Sequence, residues 1–234
     1  HKFLSKGQSM ILYQDAYRIM MEHIRPVSRT EKVTLANSTG RILARDITSD
    51  RELPPFNRVA MDGYACKRAD IHKELKVLEV VAAGQQPDHI ISGGACSKVM
   101  TGCPLPEGAD MVFMVEYAEE LPDNKVRFSG TEKQAKADNF APMAEDIQKG
   151  EVVLTKGAHI SPKHIGVMAS VGCAEPEVME KPKVGIIATG DEIVEPGMTP
   201  QRHQIRNSNS YQLHTQITRT GADARYYGIA ADTV

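Results

Sequence analysis

Apolar positions near the start of the chain recur with the period of an α-helix. In SMILYQDAYRIMMEHI, residues 9–24, the positions that share one predicted helix face are Leu12, Ala16, Ile19, Met20 and Ile24. Ser9 has the side chain of an N-cap, and Pro26 ends the pattern because proline cannot continue a helix. We therefore predict one amphipathic helix here, whose methionines pack in the core.

After residue 50 the pattern changes to short segments that are typical of β-strands. We predict strands in LKVLEVVAAG, ACSKVM, ADMVFMVEYA and KVRFSG, at residues 75–84, 95–100, 109–118 and 125–130. Strands without intervening helices favour a small barrel or sandwich. In the stretch before them, Asp62-Gly63 separates the apolar runs 59–61 and 64–66, which predicts a type I′ hairpin.

The last part of the chain has the pattern of a β-α-β unit. The run VGIIA, residues 184–188, is continuously apolar and predicts a strand buried on both faces. A helix capped by Ser208 or Asn209 and ended by Gly221 follows, and residues 223–232 predict a second strand. A doubly wound domain needs several more strands, so we expect this chain to carry only its first part.

Together these elements predict a multidomain fold that combines α+β and α/β parts. A partly helical domain comprises residues 1–50 and 147–178. A β-barrel-like domain, residues 51–146, is inserted into it. Residues 179–234 form the start of a doubly wound α/β domain, whose open crevice is the usual place for a ligand.

Composition and charge narrow the possible functions. The formal net charge of the 234 residues is −2 and no strongly basic block occurs, so neither nucleic acid nor an anionic membrane has electrostatic support as a partner. No apolar run approaches the roughly 18 residues of a transmembrane helix. The four cysteines lack C-x-x-C spacing, and we therefore expect reduced thiols and a cytoplasmic protein.

Candidate chemistry lies after the two C-terminal strands, because open α/β sheets bind ligands at the carboxyl ends of their strands. The polar residues at these ends are Thr189, Gly190, Asp191, Glu192 and Asp232. The helix start at Ser208 and Asn209 directs free N–H groups to the same side, which suits an anion. Glu192 and Asp232 predict a bridging Mg²⁺, since magnesium binds carboxylate and phosphate oxygens. The alternative is that these acids are solvated loop residues.

Two further loops hold candidate polar groups. Thr101 and Gly102, in VMTGCPLPEGAD, form a stiff loop whose hydroxyl and amides could meet a ligand, although a structural Pro/Gly connector explains it equally well. Asp146, in AEDIQKG, is a weak signal on its own. Asp62 is either a catalytic carboxylate or only part of a tight turn. No histidine, cysteine or serine has the spacing of a known nucleophile or metal motif.

Four segments, in this order, resemble the molybdopterin molybdenumtransferases, the family that includes the bacterial MoeA proteins and the C-terminal part of gephyrin. They are PPFNRVAMDGYA, MTGCPLPEGAD, AEDIQKGEVV and ATGDEIVEPG continuing to IRNSNS. The resemblance implies that residues 1–50 and 147–178 form an elongated dimerisation domain with an inserted β domain, and that an α/β molybdopterin-binding domain follows. It also implies a homodimer, with an active site between the α/β domain of one subunit and the inserted domain of the other.

The same resemblance implies the reaction. Molybdenum from molybdate enters adenylylated molybdopterin, AMP is released, and Mg²⁺ assists. Asp62, Asp146, Glu192 and Asp232 occupy the family's acidic positions, and Thr101 carries over from MTG. The upstream partner would be molybdopterin adenylyltransferase. Asp62 is then both a turn residue and a catalytic carboxylate, because the turn projects its side chain. We expect the chain by itself to be inactive, since half the α/β cleft is missing.

Two positions depart from the family pattern. Ala141 stands where many relatives carry an arginine in N-[IV]-R, and Asn57 replaces an aspartate that is common in PFDNS. If that arginine contacts phosphate or molybdate, this chain must use another group. Ala141 also favours an alternative function as a non-catalytic dimerisation or scaffold module, or a divergent paralogue. A generic nucleotide-binding α/β protein is a third possibility.

Overall fold

The computed structural model describes residues 11–232 as short helices and many short strands. The helices are α1 Tyr13–His23, α2 Leu35–Ser38, α3 Pro162–Ser170 and α4 Asn209–Arg219. The strands are β1 Thr30–Lys32, β2 Ile47–Thr48, β3 Arg58–Val59, β4 Gly63–Cys66, β5 Glu74–Val81, β6 Ala95–Val99, β7 Met111–Met114, β8 Ala118–Leu121, β9 Lys125–Phe128, β10 Phe140–Ala141, β11 Val152–Leu154, β12 Glu177–Met179, β13 Lys183–Thr189, β14 Ile193–Val194, β15 Ile205–Arg206 and β16 Asp223–Ala230. Three 3₁₀ turns lie at Arg68–Asp70, Val115–Tyr117 and Gln134–Lys136.

These elements form two compact units. The first, here called the sheet unit, comprises Asp46–Thr155 and Gly166–Cys173. The second, here called the flanking unit, comprises the described residues up to Arg45, the segment Lys156–Ile165 and the described residues from Ala174 onward. The two units therefore alternate along the chain, and the long segment Asp46–Thr155 of the sheet unit is inserted between segments of the flanking unit.

The sheet unit is built on a six-stranded sheet in the order β7-β4-β6-β5-β9-β8. Its neighbours are antiparallel except β5 and β6, which run parallel. The strands predicted at 75–84, 95–100 and 125–130 are present as β5, β6 and β9. The predicted strand 109–118 is divided, because the 3₁₀ turn Val115–Tyr117 separates β7 from β8.

This sheet has to curl, because β7 and β8 lie at its opposite edges although only one 3₁₀ turn separates them in sequence. Neighbouring strands are about 4.8 Å apart, so the edges of a flat six-stranded sheet would be about 24 Å apart. The link from Met114 to Ala118 can span at most about 14 Å. The edges consequently approach each other, and the Tyr64 hydroxyl on β4 donates to Glu120 on β8 across 2.6 Å.

Strand β4 lies between β7 and β6 in the sheet, and its two faces pack into two apolar clusters. Tyr64 and Cys66 belong to a cluster with Phe113, whose ring stacks on Tyr64 at 5.4 Å between centroids. Ala65, between them, faces the other cluster with Val99. All residues of β4 are buried for this reason, so its backbone is a fixed base for the residues that precede it.

The flanking unit contains the predicted C-terminal β-α-β unit. Strands β13 and β16 pair in parallel, with α4 between them in sequence and packed against both. Ile186 on β13 is buried, but the side chain of Ile187 is 62% exposed. The prediction that this strand is buried on both faces is therefore wrong for the described chain, because α4 covers one face only. The further strands of a doubly wound domain stay a prediction.

Helix α1 differs from its prediction in packing. It spans Tyr13–His23 and ends before Pro26, as predicted, whereas the predicted cap Ser9 lies outside the described residues. None of its residues is buried, and the side chains of Met20 and Met21 are more than half exposed. The interpretation of these methionines as core packing is wrong, and α1 instead presents an apolar stripe to its surroundings.

No helix in residues 11–232 combines the length and the apolar character that crossing a bilayer requires.

Candidate functional site

The carboxylate of Asp62 is held by Thr101 at a loop of the sheet unit. Asp62 directly precedes β4, and Thr101 lies two residues after the end of β6. One oxygen, Oδ1, accepts hydrogen bonds from both the backbone N–H and the hydroxyl of Thr101, each at 2.7 Å. The carboxylate is thus fixed in direction although its residue is exposed to solvent.

These two donors also fix the charge of Asp62. They lower the pKa of its carboxyl group below the ordinary value because both stabilise the ionised form, and the backbone N–H has the larger effect. Desolvation acts in the opposite direction and is smaller. The group is therefore an oriented, exposed anion, which is suited to holding a cation or a water molecule near an anionic ligand.

The predicted Asp62-Gly63 hairpin is wrong. Strand β3 pairs with β10, whereas β4 pairs with β6 and β7, so the two apolar runs beside Asp62 do not face each other. Gly63 does not have the positive φ that the predicted turn requires, and a glycine is needed here for a different reason. A Cβ atom at this position would lie 2.1 Å from the carbonyl oxygen of Phe113 on β7. Glycine permits the close approach of the two strands and so sets the starting point of the Asp62 carboxylate.

The loop of Thr101 and Gly102 is tied to β3 by backbone hydrogen bonds. Gly102 N–H donates to the carbonyl of Val59 at 2.8 Å, and Val59 N–H donates to Cys103 at 3.0 Å. Gly102 has a φ of +91°, a conformation that favours glycine. Val59 is 1% exposed, so the loop is anchored on a buried residue. This rigid attachment explains how Thr101 can keep its two hydrogen bonds to Asp62.

Asp146 lies in the same unit but on the other side of the β3–β10 ladder. The two strands are antiparallel, with Val59 opposite Phe140, so the chain leaves β3 towards Asp62 and leaves β10 towards Asp146 in opposite directions. The N–H of Asp146 donates to the carbonyl of Leu53 at 2.9 Å, and its side chain is exposed. The structure therefore joins the two acids through one short ladder without bringing their carboxylates into contact.

The flanking unit holds the other predicted site residues. Thr189 ends β13, and Gly190 continues with a φ of +137° and donates its N–H to Ala230 of β16 at 3.4 Å. The carboxylate of Glu192 folds back over Gly190, since a Cβ atom on that glycine would lie 2.8 Å from Glu192 Oε2. A side chain at position 190 would displace this acid.

The acid that meets the end of β16 is Asp191. Its Oδ1 accepts the backbone N–H of Asp232 at 3.2 Å. Within residues 11–232, no group of three or more His, Cys, Asp or Glu side chains has an arrangement that could hold a metal ion. The assignment of Glu192 and Asp232 as ligands of Mg²⁺ stays a prediction.

The start of α4 is held by a residue that the sequence prediction did not single out. Ser208 occupies the cap position but its side chain makes no capping hydrogen bond. Asn207 caps the helix instead, because its Oδ1 accepts the N–H of Ser210 at 3.2 Å. Asn207 also donates to the Tyr226 hydroxyl at 2.7 Å, which in turn donates to Glu195 at 2.7 Å. The run NSNS, with an asparagine before Ser208, could have indicated this cap.

A cavity of about 240 Å³ lies beside this helix start within the flanking unit. Its polar lining residues are Thr189, Arg206, Asn207, Ser208, Asn209 and Ser210. Backbone N–H groups of the first helical turn, hydroxyl groups and the Arg206 guanidinium, whose Nε donates to the carbonyl of Met198 at 3.2 Å, line this cavity as donors for an oxyanion. Arg206 was not predicted, although it stands in the quoted segment IRNSNS.

The fold and the polar groups of the two units together define a class of protein. It is a mixed α+β protein with an inserted curled sheet, and it carries oriented carboxylates and hydrogen-bond donors for an oxyanion. Comparison with known proteins agrees. A family model described as MoeA N-terminal region (domain I and II) matches residues 11–172. The crystal structure of a molybdopterin biosynthesis MoeA protein from Pyrococcus horikoshii OT3 superposes with a TM-score of 0.82 at 33% identity, covering 96% of this chain and 61% of that one.

Curated relatives also indicate the MoeA family. The chain is 35% identical over 218 residues to the molybdopterin molybdenumtransferase of Bacillus subtilis, covering 90% of this chain and 51% of the relative. It is 32% identical over 226 residues to that of Haemophilus influenzae, covering 95% and 55%. The chain belongs to the MoeA N-terminal family. It spans about half the length of these curated relatives.

Proposed function

We propose that the full-length protein acts in molybdenum cofactor biosynthesis as a molybdopterin molybdenumtransferase. The reaction is insertion of molybdenum from molybdate into adenylylated molybdopterin with release of AMP. Family membership and the names of the similar curated proteins support this proposal. A soluble cytoplasmic location, next to a molybdopterin adenylyltransferase that supplies the substrate, is part of the same proposal.

The observation that carries the proposal is the geometry of Asp62. Release of AMP requires attack on a phosphoanhydride, and an oriented anion can place a cation or a water molecule beside it. Thr101 occupies Oδ1 and keeps the carboxyl group ionised, whereas Oδ2 accepts no hydrogen bond from residues 11–232. That second oxygen is the atom we assign to the cation or water. Asp146 supplies a further exposed carboxylate in the sheet unit.

The flanking unit supplies groups for the anionic parts of the substrate. The start of α4, with Asn207 as its cap, and the Arg206 guanidinium beside it offer donors to phosphate or molybdate oxygens. Glu192 and Asp232 fit Mg²⁺ in the manner usual for that ion, which takes one or two carboxylates and completes its shell with water and substrate phosphate. When bound, the ion would neutralise charge on the phosphoanhydride.

A homodimer is the assembly we propose. Helix α1 has no buried residue, and large apolar side chains on it are about half exposed or more: Tyr13, Tyr17, Met20 and Met21. An exposed apolar stripe on a helix is stabilised when another surface buries it, and a second copy of the same chain provides such a surface.

The test is AMP release from adenylylated molybdopterin by the full-length protein. Release that depends on molybdate and Mg²⁺ supports the transferase. A folded dimer that releases no AMP contradicts it and favours the second candidate, a non-catalytic dimerisation or scaffold module. The exposed apolar stripe of α1 and the absence of an arginine at Ala141 favour that candidate. AMP or ATP binding without any preference for molybdopterin would indicate a generic nucleotide-binding protein.

The variant Asp62→Asn separates the two main candidates. It keeps the shape of the side chain and removes its charge. A transferase loses turnover while folding and dimerisation stay intact, whereas a scaffold protein is unaffected in all three measurements.

A further inference from the structure

The short ladder between β3 and β10 places Arg58 directly opposite Ala141. Directly opposed residues of an antiparallel pair project from the same face, with Cβ atoms about 5 Å apart. A long side chain attached at either position therefore covers the same surface. The sequence resemblance implies an arginine at position 141, in N-[IV]-R, so this chain has a guanidinium one strand away from the place where the resemblance leads us to expect one.

The side chain of Arg58 is available for a ligand. Arg58 is exposed, whereas the next residue on β3, Val59, is 1% exposed and faces the core. Successive residues of a strand point to opposite faces, so Arg58 points away from the core. Its guanidinium makes no hydrogen bond or ion pair with any residue of the described range 11–232. By contrast, Arg68, Arg41 and Arg127 in this structure are each paired with an acid.

Arg58 also lies between the two carboxylates of the sheet unit along β3. Leu53, before the strand, holds the backbone of Asp146, and Asp62 follows the strand. The loop of Thr101 is hydrogen-bonded to Val59 next to Arg58. The predicted site residues of this unit are two acids, a threonine and a glycine, so they bring no positive charge for an anionic substrate.

We propose that Arg58 binds the anionic part of the substrate, a phosphate or molybdate oxyanion, in place of the arginine absent at position 141. This inference rests on the proposed function. Arginine suits the role because its planar guanidinium donates two parallel hydrogen bonds to an oxyanion, which the single ammonium of a lysine does not. The acids Asp62 and Asp146 then handle cations and water, and Arg58 supplies the opposite charge.

The experiment moves the guanidinium from one strand to the other in the full-length protein. Steady-state kinetics and direct binding of adenylylated molybdopterin, followed by pterin fluorescence, are measured for Arg58→Ala, Arg58→Lys and the double variant Arg58→Ala with Ala141→Arg. We expect Arg58→Ala to raise KM and Kd about 10- to 100-fold, as for loss of a charge-assisted hydrogen-bonded pair. Arg58→Lys is intermediate, and the double variant returns to within about threefold of wild type.

Lys133→Ala is the control for net charge, because Lys133 is exposed and precedes the 3₁₀ turn Gln134–Lys136, away from the β3–β10 ladder in sequence. An unchanged KM and Kd for Arg58→Ala overturns the inference. So does a double variant that recovers no binding, or an equal loss in Lys133→Ala. A wild-type protein that neither binds nor converts the substrate instead overturns the proposed function, and the role of Arg58 with it.

Discussion

Substituting Gly63 by alanine tests the close approach of strands β4 and β7. The added Cβ atom would lie 2.1 Å from the carbonyl oxygen of Phe113 and 2.8 Å from Val112 Cγ1. The carbonyl belongs to the backbone of a buried strand and cannot rotate away as a side chain would. Overpacking of a core costs about 1–3 kcal/mol, and we expect the upper end, about 3 kcal/mol, because backbone has to move.

The assay is thermal unfolding followed by circular dichroism. For a chain of this size, 1 kcal/mol lowers Tm by about 2–4 °C, so Gly63→Ala should lower it by about 6–12 °C. Gly166→Ala is the matched control. Gly166 lies exposed in α3 with no atom within 4 Å of an added Cβ, so alanine should stabilise the protein by about 1 kcal/mol. A Tm for Gly63→Ala within 1 °C of wild type would refute the reasoning about strand approach.

Three further predictions concern the site and the core. Thr101→Val removes the hydroxyl donor, so the pKa of Asp62 rises towards its ordinary value and the acidic limb of the pH–rate profile moves to higher pH. The control Thr101→Ser keeps a hydroxyl and should leave this limb in place. An acidic limb that does not move in the valine variant would contradict the role of the hydroxyl. Burial raises the pKa of Cys66 and Cys96 to about 12, so iodoacetamide at pH 8 should modify neither thiol until the protein is unfolded, as peptide mass spectrometry would reveal. Asn207→Ala removes the cap of α4 and should cost about 1 kcal/mol, seen as faster amide hydrogen exchange in the first turn, whereas Asn207→Asp keeps an acceptor and should retain protection.

The strands of the sheet unit could be predicted because their apolar runs are long and bounded by turn residues. The segments that became β5, β6 and β9 were located within three residues of their observed bounds. The Asp62-Gly63 hairpin failed for a physical reason. The local turn signal was overruled by β6 and β7, which pair with both edges of β4 and bury all of it.

The site was predicted in parts. Asp62 and Thr101 could be named separately from their motifs, but their double hydrogen bond depends on β4 and β6 being neighbours, which no local pattern indicates. Asn207 was missed because two serines and an asparagine beside it are equally good caps by composition. The packing of α1 could not be predicted either, since an apolar stripe has the same spacing whether it faces a core or a partner.

The two edges of the curled sheet bear on how the protein avoids aggregation. An unpaired strand edge can accept a strand from another molecule. The outer side of β7 is occupied, because the Val112 N–H donates to the carbonyl of Asp138 and the Val112 carbonyl accepts from the side chain of Asn139. The other edge strand, β8, carries Glu119 and Glu120, which are ion-paired with Arg127 and Lys98, and a strand docking there would have to disturb these charged pairs. One edge is thus covered by the chain itself and the other is lined by charged side chains, so both edges of the sheet are poor templates for a strand of another molecule.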